Sequence, residues 1–295
     1  MPVFVGGTGR SGTSALGRLL GRHPEILFVG GEIKHHATSP VGLAGLLEGE
    51  ISLAEFVEFL RGRAWSDPHP ARGADRGLYQ YMERGAFDRA VAAFAERFPD
   101  DPHGAGRELI LAIVHDRRSR SGKPRFAEAT PDNAFSAHHL WRMFGDLRAI
   151  HIVRDGRDTA ASVTGVHFGP DDLDAALDWW ERRIRRADAS LRRLPADQVL
   201  TVSLEALTTL DRDATRSGIF AFLGVRDAGA PRNFHNRKMP PARGHVGRWS
   251  RGLEPEAADA FDERYRALLA RLREDGVQCV DVLPDPGAVA PVGNV

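Results

Sequence analysis

The sequence has one cysteine, very little lysine and no excess of charge of either sign, and these shortages limit the disulfides and the ligand-binding charges that the chain can have. Cys279 has no second cysteine to pair with, so the chain forms no internal disulfide and we expect a reducing compartment. Lysine occurs only as Lys34, Lys123 and Lys238, although lysine and arginine together number 40. Because aspartate and glutamate also number 40, the bulk charge shows no basic field for nucleic acid, and we expect an anionic ligand to be held by local groups.

Long apolar runs are missing as well. No stretch approaches the roughly 18 consecutive apolar residues of a membrane-spanning helix. The chain opens on an apolar strand, without the charged segment and apolar stretch of a secretory leader. We therefore expect a cytoplasmic protein with no membrane partner and no nucleic-acid partner. The preference for arginine over lysine, together with 31 glycines, favours a bacterial source with a GC-rich genome.

Strands alternate with helices along the chain. Apolar runs predict strands at residues 2–6, 26–29, 148–153 and 199–203. We expect the second of these strands to lie beside the first. Helical spacing predicts one helix after the first loop and further helices over residues 172–193 and 255–273, whereas residues 231–252 have the composition of a loop. This alternation predicts an α/β fold of three layers, P-loop-like, with a central parallel sheet flanked by helices.

Two further segments complete the predicted organisation. Residues 41–120 carry apolar residues at helical spacing and predict a helical insertion that forms a lid or a wall of the substrate site. Residues 284–295 are expected to be a mobile tail. The chain is thus predicted to be one domain over residues 1–283.

The first candidate site is the loop between the first strand and the first helix. It reads Gly7-Thr8-Gly9-Arg10-Ser11-Gly12-Thr13-Ser14. Glycines let the backbone approach a ligand, consecutive N–H groups at a helix start attract an anion, and Arg10 adds a forked cation. A nucleoside-triphosphate loop requires lysine where Thr13 stands, and this loop has none. The alternative without a ligand is a plain glycine-rich turn.

The second candidate site follows the strand at residues 148–153. Arg154 and Asp155 leave the end of this strand, and Ser162 follows eight residues after the arginine on the predicted next helix. Arg154 and Ser162 can then reach one phosphate. A strand-end ion pair between Arg154 and Asp155 is the alternative.

These segments resemble the sulfotransferases that use 3′-phosphoadenosine 5′-phosphosulfate (PAPS). The first loop resembles their 5′-phosphosulfate loop, in the arginine-first form of the tyrosylprotein and carbohydrate enzymes, and the second resembles their 3′-phosphate motif. The segment Gly244–Trp249 resembles the late loop that closes over the nucleotide, although Trp249 could instead pack the final helix against the core. The resemblance implies these nucleotide-binding residues: Gly9, Arg10, Ser11, Gly12, Thr13, Ser14, Arg154, Ser162, Arg248 and Trp249.

The resemblance also implies a general base and exposes one departure. Glu32, in Gly30-Gly31-Glu32, matches the carboxylate of the tyrosylprotein-type motif, and His35 or His36 is the alternative base. Arg10 would stabilise the charge that develops on the transferred group. Where relatives carry lysine before Thr-Pro, this chain has Ala129, so a leaving-group cation would come from elsewhere, for example from Lys34.

No metal site is predicted. The histidine pairs His35-His36 and His138-His139 lack the spacing of metal ligands, and no cysteine accompanies them. The sequence thus predicts metal-independent sulfuryl transfer from PAPS, with PAP as product, to a hydroxyl group of a small molecule, glycan or peptide. The alternatives are a module that binds PAPS or PAP without turnover and, less well matched, a P-loop nucleotide kinase.

Overall fold

A computed structural model of the protein describes residues 1–66 and 77–288. Five strands form one parallel sheet: β1 (Pro2–Gly7), β2 (Ile26–Phe28), β3 (Arg125–Glu128), β4 (Arg148–Val153) and β5 (Val199–Ser203). Their order in the sheet is β2-β3-β1-β4-β5. The predicted α/β class with a central parallel sheet flanked by helices is therefore confirmed.

Eleven α-helices surround this sheet in the described part of the chain. They are α1 (Thr13–Leu20), α2 (Leu43–Leu47), α3 (Leu53–Phe59), α4 (Arg84–Arg97), α5 (Pro102–Ser121), α6 (Ala137–Phe144), α7 (Gly156–Val163), α8 (Leu173–Leu191), α9 (Arg212–Phe222), α10 (Gly229–Lys238) and α11 (Pro255–Glu274). The region predicted to be helical over residues 41–120 holds α2 to α5. Among the described residues, no helix combines the length and the apolar composition that crossing a membrane requires.

Side-chain alternation along β1 explains the layers. Val3 and Val5 pack into a core with α1 and α9, whereas Phe4 packs on the opposite face with residues of α5 and α6. This two-residue period is what a central strand with helices on both faces requires. Gly6 lies where the backbone after β3 crosses β1, and a β-carbon on it would stand 2.3 Å from the Ala134 nitrogen.

Two predictions about this architecture are wrong. The strand predicted at residues 26–29 does not lie beside β1, because β3 runs between them and pairs with both. β3 has only two apolar residues between Arg125 and Glu128, so its sequence lacks the run that marks a buried strand. The loop predicted over residues 231–252 begins as helix α10 and becomes irregular only after Lys238. Of the predicted mobile tail, residues 289–295 lie outside the described part of the chain.

A buried ion pair joins α7 to α11. Arg157 is 1% exposed and pairs with Asp155, 2.5 Å away, and with Asp262. Its guanidinium also lies over the rings of Trp249, at 4.9 Å, and Tyr265, at 4.8 Å. The second arginine of the Arg-Asp-Gly-Arg-Asp segment is therefore part of the core.

We expect Arg157→Met to lower the free energy of unfolding by about 3–5 kcal/mol, because it leaves the buried Asp155 carboxylate without its charged partner. Denaturant unfolding measures this loss. Asp262→Asn is the matched control and should cost less, since Asp262 is partly exposed and Asp155 keeps its partner. An Arg157→Met variant as stable as the native chain would contradict this account.

Candidate active site

The loop between β1 and α1 has a backbone that ordinary residues rarely adopt. Gly9, Arg10 and Gly12 have φ values of 87°, 58° and 99°. Left-handed residues placed in this way turn consecutive N–H groups toward a common point, and the start of α1 follows directly. Arg10 adopts this conformation at a steric cost that the two glycines do not bear. The loop thus has the backbone conformation of an anion-binding turn, as the sequence predicts.

The side chains of this loop divide into two groups. Arg10 and Ser14 are exposed, whereas Ser11 and Thr13 are buried. The Ser11 hydroxyl lies over Gly7, where a β-carbon would come within 2.3 Å of it, and within the described residues it has no hydrogen-bond partner. Arg10 and Ser14 are therefore the side chains of this loop that are open to a ligand.

Three segments that are distant in sequence meet at the carboxyl edge of the sheet. The Arg10 Nε donates to the Ser162 hydroxyl of α7 at 3.0 Å. The Arg154 guanidinium donates to the carbonyl of Arg10 at 3.2 Å and to the carbonyl of His245 at 2.9 Å. Arg154 is 6% exposed, and within the described chain its buried Nε has no partner. The two motifs and the late loop thus form one cluster of cationic and hydroxyl groups.

Asp158 fixes the late loop to α7. Its carboxylate accepts from the backbone N–H groups of Gly247, at 2.8 Å, and Trp249, at 3.0 Å. Burial raises the pKa of Asp158 above its usual value. These bonds place residues 244–249 beside the helix that carries Ser162.

Trp249 packs in the core behind the late loop. It is 4% exposed, and its ring packs against Phe261 of α11, with 6.0 Å between the ring centroids. The structure thus shows the packing role that was left open for this residue and not a face available for stacking. Arg248 is half-buried, and its Nη1 lies 2.5 Å from the Nδ1 of His245.

Glu205 supports the second motif from beneath. Its carboxyl accepts the backbone N–H of Asp155 at 2.9 Å and the Ser203 hydroxyl at 2.9 Å. Glu205 is 0% exposed, and burial, together with the charge of Asp155, raises its pKa to about 7. The backbone at Arg154 and Asp155 is therefore held by a hydrogen bond to a carboxyl group that titrates near neutrality.

Arg183 of α8 supports the first loop, and the sequence analysis missed it. Its Nε donates to the Thr8 carbonyl at 2.5 Å, and its Nη2 donates to Asp132 at 2.8 Å. The guanidinium lies over the rings of Phe135, at 4.4 Å, and Trp179, at 4.7 Å. One arginine in an arginine-rich helix carries no distinguishing pattern, so the sequence could not single it out.

Glu32 follows β2, and the strand that neighbours β2 is β3 rather than β1. The Glu32 carboxylate is 27% exposed and pairs with the Lys34 ammonium at 3.4 Å. Glu128 and Thr130 hold the segment by accepting the N–H groups of Ile33 and Lys34, both at 3.1 Å.

The two histidines of this segment have different surroundings. His36 is 3% exposed, and its Nε2 lies 2.7 Å from the Asn133 side-chain oxygen and 3.3 Å from the Glu128 carboxylate. His36 therefore belongs to the buried support of the segment. His35 is half-buried beside Phe59. Burial, with the charges of His36 and Lys34, lowers the pKa of His35 to about 3, which makes it a weak base at neutral pH.

The support beneath Glu32 includes a buried charge. Burial of Glu128 opposes its ionisation, but the neighbouring His36 and the hydrogen bonds from Thr130 and Asn133 hold its pKa at about 2. Ala129 is 1% exposed and packs in the core with α1, so the side chain at this position does not reach the site surface.

The sequence model of the sulfotransferase family matches residues 2–229. This is more than half of the chain, and the chain belongs to the sulfotransferase family, whose enzymes transfer sulfuryl groups. A comparison with curated proteins finds no match.

Solved sulfotransferase structures are similar to this chain. The sulfotransferase domain of the olefin synthase of Synechococcus PCC 7002 shares 21% identity, with a TM-score of 0.55, over 86% of this chain and 89% of that one. A sulfotransferase of Mycobacterium tuberculosis H37Rv shares 17% identity, with a TM-score of 0.47, over 90% of this chain and 76% of that one. At these identities, the first likeness supports the fold.

Glu205 generates a prediction about pH. Its folded pKa of about 7 lies above its usual 4.5, so the folded chain holds this proton more tightly than the unfolded chain does. Its contribution to stability is complete below pH 4.5 and is lost as the pH rises through about 7. Glu205→Gln should therefore flatten the fall in the free energy of unfolding across this range, as measured by urea unfolding.

The matched control is Asp197→Asn, which neutralises an exposed carboxylate and should leave the pH profile unchanged. Native and Glu205→Gln profiles of the same slope between about pH 5 and 8 would refute the raised pKa.

Proposed function

We propose that the chain transfers a sulfuryl group from PAPS to a hydroxyl acceptor, with the donor at the Arg10–Ser162–Arg154 cluster. One observation carries this proposal: the two anion motifs, 144 residues apart, meet through the bond from Arg154 to the Arg10 carbonyl. Loop amides of residues 9–14 would hold the 5′-phosphosulfate, and Ser162 with Arg154 the 3′-phosphate. Arg248 of the late loop would add a further guanidinium group to the phosphate site.

The residues fit such a donor without a metal ion. PAPS carries negative charge at both ends, and the cluster presents two guanidinium groups, exposed hydroxyls and the start of a helix. The buried Arg154 Nε has no partner within the described residues. In this position Arg10 can stabilise the charge that builds up on the sulfuryl oxygens and on the leaving phosphate.

Glu32 is the proposed general base. It takes the proton of the acceptor hydroxyl while the oxygen–sulfur bond to the acceptor forms and the bond from sulfur to the phosphate oxygen of PAP breaks. Its partial exposure and the low pKa of His35 favour Glu32 over the histidine. Lys34, which pairs with Glu32, is the cation nearest to this carboxylate in sequence.

The acceptor is proposed to approach over the helical region. A cavity of about 420 Å³ in this region is lined by Trp65, Tyr79–Arg84, Asp116, Arg117 and Arg120. Two of its residues also hold the backbone before Glu32: the Tyr81 hydroxyl donates to the Gly30 carbonyl at 2.6 Å, and Arg117 donates to the Val29 carbonyl. This continuity supports the role of the helical region as a substrate wall.

Arg154→Ala should weaken PAP binding by about 1.5–3 kcal/mol, as expected for a charge-assisted bond to phosphate. Binding of AMP, which is PAP without the 3′-phosphate, should barely change. Calorimetry in the presence of EDTA measures both affinities. Arg251→Ala removes an exposed charge at the end of the late loop and serves as the control.

Equal losses for PAP and AMP would mean that Arg154 only organises the loops through the Arg10 and His245 carbonyls. PAP binding that is absent, or that requires Mg²⁺, would contradict the proposed donor.

Glu32→Gln keeps the size of the side chain and removes its basicity, so kcat should fall by about 10²–10⁴ while PAP affinity stays the same. Radiolabelled PAPS with a panel of phenols, sugars and aliphatic alcohols provides the turnover assay. His35→Gln is the matched comparison and should reduce kcat less. Loss of turnover in His35→Gln with near-native Glu32→Gln would assign the base to the histidine. PAP binding without turnover of any acceptor would favour the binding-module alternative.

A further inference from the structure

Imidazoles and a carboxylate gather on the helical side of the molecule, away from the donor cluster. Glu48 follows α2, and His138 and His139 lie on α6; one ligand atom from each of these three residues lies within 4.8 Å of the others. His103, in the first turn of α5, brings its ring centroid to 5.8 Å from that of His139. Three separate elements thus supply three imidazoles and one carboxylate.

The two α6 histidines are neighbours in sequence, and their rings also lie close together. Their ring centroids are 3.8 Å apart, with the rings tilted by 41°. Both residues are buried, at 8% and 6% exposure. Within the described chain, both ring nitrogens of His139 and the Nε2 of His103 are buried without a hydrogen-bond partner. Buried polar atoms without partners are costly, which indicates a missing ligand.

The distances fit a metal ion better than a hydrogen bond. The His139 Nε2 lies 3.5 Å from the Glu48 Oε1 and makes no hydrogen bond there. Two ligands on a tetrahedral zinc ion, with bonds of about 2.0–2.1 Å, stand roughly 3.4 Å apart. The Ser190 hydroxyl lies 3.0 Å from the Nδ1 of His138. A hydroxyl that accepts the Nδ1 proton leaves the Nε2 lone pair for a metal, an outer partner typical of metal-bound histidine.

We propose that Glu48, His138 and His139, with His103 as the fourth ligand, bind a divalent transition-metal ion such as zinc. Imidazole nitrogen with one carboxylate suits such ions better than magnesium or calcium, which prefer oxygen ligands. Arg142 and Arg193 lie near the two α6 histidines, and Arg186 pairs with Glu48 at 3.8 Å. All three arginines are exposed, so water and salt screen their repulsion of a metal ion.

The position of the cluster indicates a structural role for the ion. Glu48 and His103 belong to the helical region between β2 and β3, whereas α6 follows β3, so one ion would fasten this region to the body of the fold. Arg183, which supports the loop between β1 and α1, also lies on α8. Ser190 follows it by seven residues, which is about 10 Å along the helix. The site is therefore separate from the donor cluster, and its existence does not depend on the proposed donor.

Zinc binding to the full chain, after removal of metal with a chelator, tests the proposal. We expect about one zinc ion per chain by elemental analysis, and a higher Tm with zinc than with EDTA. Glu48→Gln and His139→Gln should each weaken zinc binding at least about 10-fold. His115→Gln changes an exposed histidine of α5 and is the matched control, which should bind zinc like the native chain. Co²⁺ in place of zinc should show the intense visible absorption of a four-coordinate ion.

Glu48 is partly exposed, so Glu48→Gln should fold as the native chain does, with the same Tm in EDTA. Its PAP affinity should equal the native value, because it does not belong to the donor cluster. The proposal is wrong if Glu48→Gln gains the same Tm from zinc as the native chain. It is also wrong if His115→Gln loses as much zinc affinity as His139→Gln does, since binding would then be unspecific.

Discussion

The arrangement of the cluster formed by Arg10, Ser162 and Arg154 depends on one side chain that donates hydrogen bonds to two loops at once. The Arg154 guanidinium leaves the end of β4 and donates to main-chain carbonyls of the β1 loop and of the late loop. These carbonyls belong to irregular segments, whose backbone groups lack the partners that a helix or strand provides. A buried, permanently charged fork can serve both acceptors, which a lysine with one ammonium group would do less rigidly. The cluster of hydroxyls and cations is organised around this group.

The layers beneath the cluster repeat this use of charge. Glu205, Asp158 and Arg183 each hold a backbone group of a loop at the site, and each is held in turn by a strand or helix of the sheet core. The protein thus positions irregular backbone with buried or half-buried ionic side chains. The abundance of arginine and the near absence of lysine suit this arrangement, because arginine keeps its charge when it is partly desolvated.

The sequence predicted the elements whose patterns are local. β4 and β5 are found at the predicted residues 148–153 and 199–203, because each is a continuous buried run. β3 was missed because charged residues end it on both sides, and its omission placed β2 directly beside β1. The sequence left two roles open for Trp249, contact with the nucleotide and packing of the final helix, and its burial was not visible in the sequence. Arg183 and Glu48 owe their positions to contacts between distant segments, which no spacing in the sequence reveals.

The central position of β1 has a consequence for how the chain acquires its structure. β1 is synthesised before both of its neighbours, because it pairs with residues from 126 on one side and from 148 on the other. At about 5–20 residues per second, a ribosome needs roughly 7 to 30 s to supply both neighbours. Until then β1 has no neighbouring strand with which to pair. Contacts between such distant residues also form slowly, because the intervening chain must be ordered. The nascent chain must therefore keep this fully buried strand from associating with other chains until β4 has been synthesised.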